Sequence, residues 1–218
     1  MIHKSVNSLL NIKNQIKQLN VLDSDYKIIA VTKTFPVSKI LPLIEFGHID
    51  FGENKIQEAT LKWQDLKLQN SKLKLHMLGH IQTNKVKNLI PLFDYIHSLD
   101  SIGLATKISN EQLKKDKFLK IFIQVNIGNE SQKSGIEINN VVKFYEECVN
   151  NLGLNIVGLM CLPPKSKNPE FYFKKLKDIA QKININNLSM GMSADYIEAI
   201  KCGSNYLRIG SGIFGSRF

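Results

Sequence analysis

Short runs of apolar residues alternate with longer amphipathic stretches from near the start of the chain to its end. The apolar runs predict strands at Lys27–Thr32, Ile49–Phe51, Leu75–Leu78, Tyr95–Ser98, Lys120–Val125, Asn155–Leu159, Asn187–Met190 and Tyr206–Ile209. Between them, helical spacing predicts helices at Ser38–Phe46, Lys55–Leu68, Asn84–Phe93, Ile102–Leu113, Asn139–Leu152, Pro169–Ile183 and Ala194–Lys201, with a further helix, Ser5–Leu19, ahead of the first strand. The sharpest stripe is Val141, Val142, Phe144, Tyr145, Cys148, Val149 and Leu152, at a period of 3.6. Start signals agree. Asn54 with Gln57 reads as a capping box, Asn168-Pro169 as a cap followed by proline at the first helical position, and Ser193 as a cap for a helix opening at Ala194.

Strands that are almost wholly apolar are buried on both faces, so the sheet is parallel and covered by helices. Eight strand–helix units predict a single closed (β/α)8 TIM barrel of the α/β class, one domain over residues 1–218, with an extra N-terminal helix. No Gly-x-Gly-x-x-Gly follows the first strand, which argues against an open dinucleotide-binding sheet.

Composition changes this picture only at the edges. With 43% hydrophobic and 22% charged residues, the chain can fill a core and is not disordered. No apolar run approaches the roughly 20 residues that cross a bilayer, and the first twenty residues lack the apolar stretch of a secretory signal, so a cytoplasmic location without a membrane partner is expected. Three scattered cysteines, Cys148, Cys161 and Cys202, fit a reducing compartment rather than a disulfide framework. The net charge of +10 would suit an anionic partner, but the lysines are spread along helix faces and no nucleic-acid motif accompanies them, so no nucleic acid is expected. His76 and His80 are four apart, but in a strand and its exit that spacing does not bring them together, and no metal is expected.

In such a barrel the chemistry sits where the strands end. There the sequence delivers Lys33 after the first strand, Asn54 after the second, and His80 to Lys85 after the third. The fifth gives Asn126 and a loop holding Ser131, Lys133 and Ser134, the seventh Gly191-Met192-Ser193, and the eighth Arg208, Gly210 and Ser211. Two loops of glycine and serine on neighbouring strands offer bare N–H groups and hydroxyls, which a phosphate dianion needs. A lysine at a barrel mouth is partly desolvated, which frees its lone pair for an aldehyde. A phosphate cradle with a strand-end lysine suggests a phosphorylated aldehyde held as an imine. Each feature also has an ordinary reading. Lys33 can reach solvent, the glycines can serve turns, Ser193 can be a cap, and Arg208 can pair with a carboxylate such as Asp195.

These blocks resemble one family in order. They are Val31-Thr32-Lys33-Thr34; Phe51-Gly52-Glu53-Asn54 with Gln57-Glu58; His76 through Lys85; Gln124-Val125-Asn126 through Lys133-Ser134-Gly135; Gly158-Leu159-Met160; Leu188 through Asp195; and Leu207 through Gly215. The chain resembles the pyridoxal-phosphate homeostasis protein family over nearly its whole length. The resemblance implies a fold-type III barrel like the N-terminal domain of alanine racemase. It implies pyridoxal 5'-phosphate (PLP) as cofactor, held as an imine on Lys33. It further implies Ser193, Gly210 and Ser211 on the phosphate, Arg208 beside the pyridine nitrogen and Asn54 near the ring hydroxyl. The activity it implies is buffering and carriage of PLP, with apo PLP-dependent enzymes as partners and no catalytic residues.

The alternative is a PLP-dependent amino-acid racemase. Racemisation needs a second base. In the racemase that base comes from a β-domain, for which a chain ending at Phe218 leaves no residues. For the same reason a monomer is expected. The short link from Asn20 to Tyr26 and the missing polar tail are the departures from the family pattern. Whether a second lysine such as Lys133 takes another PLP stays open.

Overall fold

The computed structural model describes residues 2–19, 25–130, 132–164 and 168–216. Ser131, most of the Asn20–Tyr26 link and the end at Phe218 lie outside the described residues. Eight parallel strands close into a barrel in sequence order: β1 Lys27–Val31, β2 Asp50–Glu53, β3 Lys74–Met77, β4 Tyr95–Leu99, β5 Lys120–Val125, β6 Ile156–Cys161, β7 Asn187–Ser189 and β8 Tyr206–Ile209. The ring closes where β8 pairs with β1, Ala30 opposite Ile209. All eight expected strands are present, with ends shifted by up to two residues.

The helices form where an apolar stripe meets an end signal. α1 (Lys4–Gln18) buries Val6, Leu9, Ile12 and Ile16 on one face and packs on α2 (Val37–Glu45). In α3 (Ile56–Gln69) Ala59 and Trp63 are completely buried, a burial worth about 1.5–3 kcal/mol for a large apolar side chain. α4 (Val86–Leu92) follows a single 3-10 turn. α5 (Ile102–Lys115) is capped by the Ser101 hydroxyl, which accepts from the Leu104 N–H, and ends on Asp116 in the left-handed region at φ 46°. α6 (Val141–Glu146) runs into a wider turn over Glu147–Asn151, and Val141, Phe144 and Cys148 are its buried stripe. α7 (Pro169–Lys182) starts as expected, with Asn168 Oδ1 accepting from the Phe171 N–H and proline in the first turn. α8 (Tyr196–Lys201) joins β7 to β8, and α9 (Ser211–Phe214), a single turn that no sequence signal announced, packs against α1.

Two capping expectations fail. The N-cap of α3 is Lys55, with no side-chain cap bond, so Asn54 and Gln57 form no capping box. α8 begins at Tyr196 behind Asp195, two residues later than expected. Asp195 Oδ1 takes the Met192 N–H at 2.6 Å, and Ser193 is employed elsewhere.

Most of the core lies between strands and helices. A second, smaller cluster fills the barrel itself: Ile29, Tyr95, Phe122, Met160 and Tyr206. The strands are less uniformly apolar than their sequences suggest, since Asp50, His76, His97, Ser98, Ser189 and Arg208 are all buried within them.

Candidate functional site

Lys33 leaves β1 two residues beyond Val31, and Gly210 follows Ile209 on the adjacent strand, so the two emerge side by side. A Cβ on Gly210 would lie 3.5 Å from Val31 Cβ. The half-buried Lys33 stands on a framework of side chains. The Glu53 carboxylate is completely buried, and its Oε1 accepts from the Thr32 hydroxyl at 2.7 Å and the Trp63 indole at 3.0 Å. Lys62 Nζ reaches the same oxygen at 2.6 Å, Glu58 Oε1 at 2.8 Å and the Thr32 carbonyl at 2.8 Å. The Glu58 carboxylate in turn accepts the Thr34 N–H at 2.5 Å. Burial opposes ionisation of Glu58, but the bonds from Lys62 and Thr34 outweigh it and hold its carboxyl below the usual value. Thr34 sits at φ 70°, a conformation costly for a β-branched residue. Strain of this kind persists only where the surroundings impose it, and here it fixes the chain immediately after Lys33.

The β7 and β8 ends are built differently. Gly191 has φ 89°, and a Cβ there would come within 2.5 Å of Ala199 Cβ, so only glycine fits the turn. Its carbonyl accepts from the Arg208 N–H. Ser193 Oγ accepts the Gly212 N–H at 3.0 Å, which stitches the two glycine-and-serine loops together. A side chain at residue 212 would crowd that hydroxyl, its Cβ lying 3.4 Å away. Gly210 has φ −109° and only ordinary contacts around a notional Cβ, so nothing within the protein demands glycine there. Ser211 is exposed at the rim.

Arg208 is buried beneath these loops. Its Nη1 donates to the Ser189 carbonyl at 2.6 Å and the Ser189 hydroxyl at 2.7 Å, and its Nη2 to the Cys161 carbonyl at 2.9 Å. It therefore points into the barrel rather than forming the pair with Asp195 that the sequence left open. Asp195 bears on it only as a nearby charge. Burial lowers its proton affinity, yet a guanidinium stays charged.

Asn54 stands one strand further round the mouth, after β2, which pairs with β1. With Gly79, His80, Gln124, Asn126 and Lys133 it lines a cavity of about 340 Å³. Its carbonyl would lie 2.2 Å from a Cβ on Gly79, which makes that glycine obligatory. Lys133 is ion-paired with Glu130. The loop carrying it is held by Gln124 Nε2 on the Ser134 carbonyl and by Asn126 on both backbone groups of Glu130. Thus Lys33, Arg208, Gly210, Ser211 and Ser193 converge on adjacent strand ends β7, β8 and β1, and Asn54 follows β2, the next strand round.

His76 is completely buried in the barrel, whereas His80 is exposed at the rim, 3.5 Å from Asp100, so the pair is separated. Among the described residues no cluster of three His, Cys, Asp or Glu is placed to hold a metal, and no helix is long and apolar enough to cross a membrane. The three cysteines are buried and unpaired, and burial pushes the Cys148 and Cys161 thiols up to about 12, so neither is a nucleophile. Reading the sequence missed the Glu53–Lys62–Glu58 framework and the residues beneath Arg208. A Glu-Asn pair closing a strand and a Lys four residues after Glu58 were the available signals for the first.

The family model for the N-terminal domain of alanine racemase matches residues 8–218. A pyridoxal phosphate homeostasis protein of Pasteurella multocida is 34% identical over 217 residues, covering 95% of this chain and 93% of its own length. One from Aquifex aeolicus is 36% identical over 200 residues, 88% of this chain and 87% of its own. Among solved structures, PipY of Synechococcus elongatus with PLP bound superposes with a TM-score of 0.84 at 27% identity, over 97% of this chain and all of that one. On barrel, matched length and identity together, this chain belongs to the pyridoxal phosphate homeostasis protein family, built on the fold of the alanine racemase N-terminal domain.

Proposed function

We propose that this protein binds pyridoxal 5'-phosphate at the mouth formed by β7, β8, β1 and β2, and serves intracellular PLP homeostasis by holding the cofactor reversibly. The observation that carries the reading is the convergence of one lysine, one buried arginine and two stitched glycine-and-serine loops on three adjacent strand ends. Family membership and the PLP in PipY support the same cofactor.

The residues fit the group. Lys33 Nζ would carry the covalent link to the aldehyde carbon. Ser193 Oγ accepts from Gly212, which leaves its own proton to donate to a phosphate oxygen. Gly210 keeps open a space that a side chain would enter, and Ser211 adds a hydroxyl at the rim. Three of the five Arg208 N–H groups go to Ser189 and Cys161, and a ring nitrogen needs only one of the others. Asn54, on the strand end next to Lys33, would meet the ring on its hydroxyl side. When bound, PLP supplies an aldehyde for amines and a pyridine ring that can act as an electron sink. A cation beside the ring nitrogen keeps that nitrogen unprotonated, which weakens the sink. We take the whole chain as one binding unit with no catalytic residue, able to release PLP to apo-enzymes.

The test is mass spectrometry of the borohydride-reduced complex, with turnover of alanine, serine and lysine enantiomers measured on the same sample. The expected result is one adduct on Lys33, lost in Lys33→Ala, and no saturable turnover. A Lys33→Ala variant with the same PLP affinity and absorption spectrum contradicts the cofactor assignment. Robust racemisation replaces carriage with the racemase alternative.

A further inference from the structure

The barrel axis carries a line of polar side chains where branched apolar residues normally fill such barrels. Asp50 on β2 lies 3.0 Å through Oδ1 from His76 Nε2 on β3. His76 Nδ1 is 2.9 Å from His97 Nε2 on β4. His97 Nδ1 is 2.8 Å from Ser189 Oγ on β7, across the barrel, and Ser189 Oγ accepts from Arg208 on β8. His76, His97 and Ser189 are completely buried, with Asp50 at 7% and Arg208 at 5% exposure. The imidazoles are fixed by stacking, His76 on Tyr95 with ring centres 4.2 Å apart and His97 on Phe122 at 4.3 Å.

The line has one direction. A guanidinium only donates, so Ser189 accepts from Arg208 and has one proton to pass on. That proton goes to His97 Nδ1, which leaves His97 protonated on Nε2. His97 Nε2–H then donates to His76 Nδ1, and His76 Nε2–H donates to the Asp50 carboxylate. Every link is satisfied with both imidazoles neutral, one cation at the cofactor end and one anion at the other. Burial disfavours charge on both histidines, in keeping with this assignment. A buried cation requires compensation, and apart from Asp195 nearby, the line is what connects Arg208 to a carboxylate. Asp50 also borders a cavity of about 260 Å³ at the opposite end of the barrel, together with Lys13, Tyr26, Lys27 and His48.

We propose that Asp50, His76, His97 and Ser189 are positioning residues for Arg208. They form a one-directional hydrogen-bond relay through the barrel that balances the arginine's buried charge and sets the orientation in which its guanidinium meets the ligand ring. The relay is a property of the chain alone. Only what Arg208 touches rests on the PLP reading.

The first test uses the full chain, labelled with 15N and free of cofactor. Two-bond N–H correlation spectra at pH 7 are expected to show both His76 and His97 as neutral Nε2–H tautomers. An Nδ1–H tautomer or an imidazolium at either position overturns the proposal. The second test titrates PLP into Ser189→Ala, His97→Phe and Asp50→Asn. Ser189→Ala removes the hydroxyl that Arg208 donates to, and His97→Phe removes the acceptor that orients that hydroxyl; each is expected to weaken PLP about tenfold and to shift the absorption maximum of the bound cofactor. Asp50→Asn keeps an amide oxygen to accept from His76 and is expected to fold, with a spectral shift but only about a two- to fivefold loss. Unchanged affinity and spectrum in the folded variants overturn the positioning role. If the unmodified chain takes up no PLP, the cofactor reading fails, while the tautomer measurement still decides the relay.

Discussion

The two halves of the candidate site are made of different materials. On the β1 side, Lys33 is aimed by charged side chains: Glu53, Lys62 and Glu58 tie down the backbone of Thr32 and Thr34, and Thr34 is held in a strained left-handed conformation. On the β7–β8 side, the loops are small residues and bare backbone, with Gly191 forced by its turn and Ser193 bonded to Gly212. A nucleophilic amine has one productive direction, so it needs a stiff support. An anion is met by N–H groups and hydroxyls, which only small residues leave accessible. The first half should therefore fail by losing charge and the second by gaining atoms.

Removing the shared anion is the strongest way to break the contrast. Glu53→Ala strips the buried Thr32 hydroxyl and Trp63 indole of their acceptor and leaves the half-buried Lys62 with Glu58 as its remaining carboxylate, and is expected to cost about 3 kcal/mol in urea unfolding. The same truncation at Ser193 should leave stability within about 1 kcal/mol and act on PLP affinity instead. Adding a single carbon to the other half comes next. Gly191→Ala meets both a positive φ and the Ala199 side chain, for an expected loss of about 2–3 kcal/mol in the same assay.

Acid should separate the halves. Burial holds His76 and His97 below their ordinary value and His48 down to about 4, so below pH 6.5 the unfolded chain binds protons that the folded chain does not. Stability therefore falls as pH drops from 6.5, by up to about 1.4 kcal/mol per pH unit for each histidine kept neutral. Glu58, held below its usual range, stays ionised and keeps the Lys33 support intact over that window. Hydrogen exchange at pH 5 should loosen β7 and β8, which hang on the His97–Ser189–Arg208 contacts, before the turn after β1. The smallest effect is a gain. Thr34→Gly relieves the left-handed strain and is expected to stabilise by about 0.5–1 kcal/mol, offset in part by glycine's entropy. It should also slow capture of the aldehyde by Lys33, measured by stopped-flow absorbance.

The barrel was legible because parallel strands buried on both faces read as plain apolar runs, and the helices between them carry a 3.6 period. The candidate site residues stood out in the sequence because they sit at strand ends, where the pattern breaks. The relay was hidden by the same feature that revealed the strands. In Tyr95-Ile96-His97-Ser98 or Asn187-Leu188-Ser189, a polar residue inside a short run looks like noise unless the inward face is known. Parity was the available signal, since Tyr95 and His97, and Tyr206 and Arg208, alternate onto the barrel interior. Asn54 read as a cap because cap and mouth residues share composition and position. Ser193 read as one because its bond to Gly212 comes only from the pairing of β7 with β8. The Glu53–Lys62–Glu58 cluster joins a strand to the helix after it, and its meaning depends on the φ of Thr34, which no sequence pattern prints.

The crystal structure of the chain grown with PLP is the most direct test of the central claim. The account predicts continuous density from Lys33 Nζ to the aldehyde carbon, the ring nitrogen against Arg208, and the phosphate among Ser193, Gly210 and Ser211. Density joining the cofactor to another lysine such as Lys133, or a phosphate lying outside the β7 and β8 loops, would contradict it.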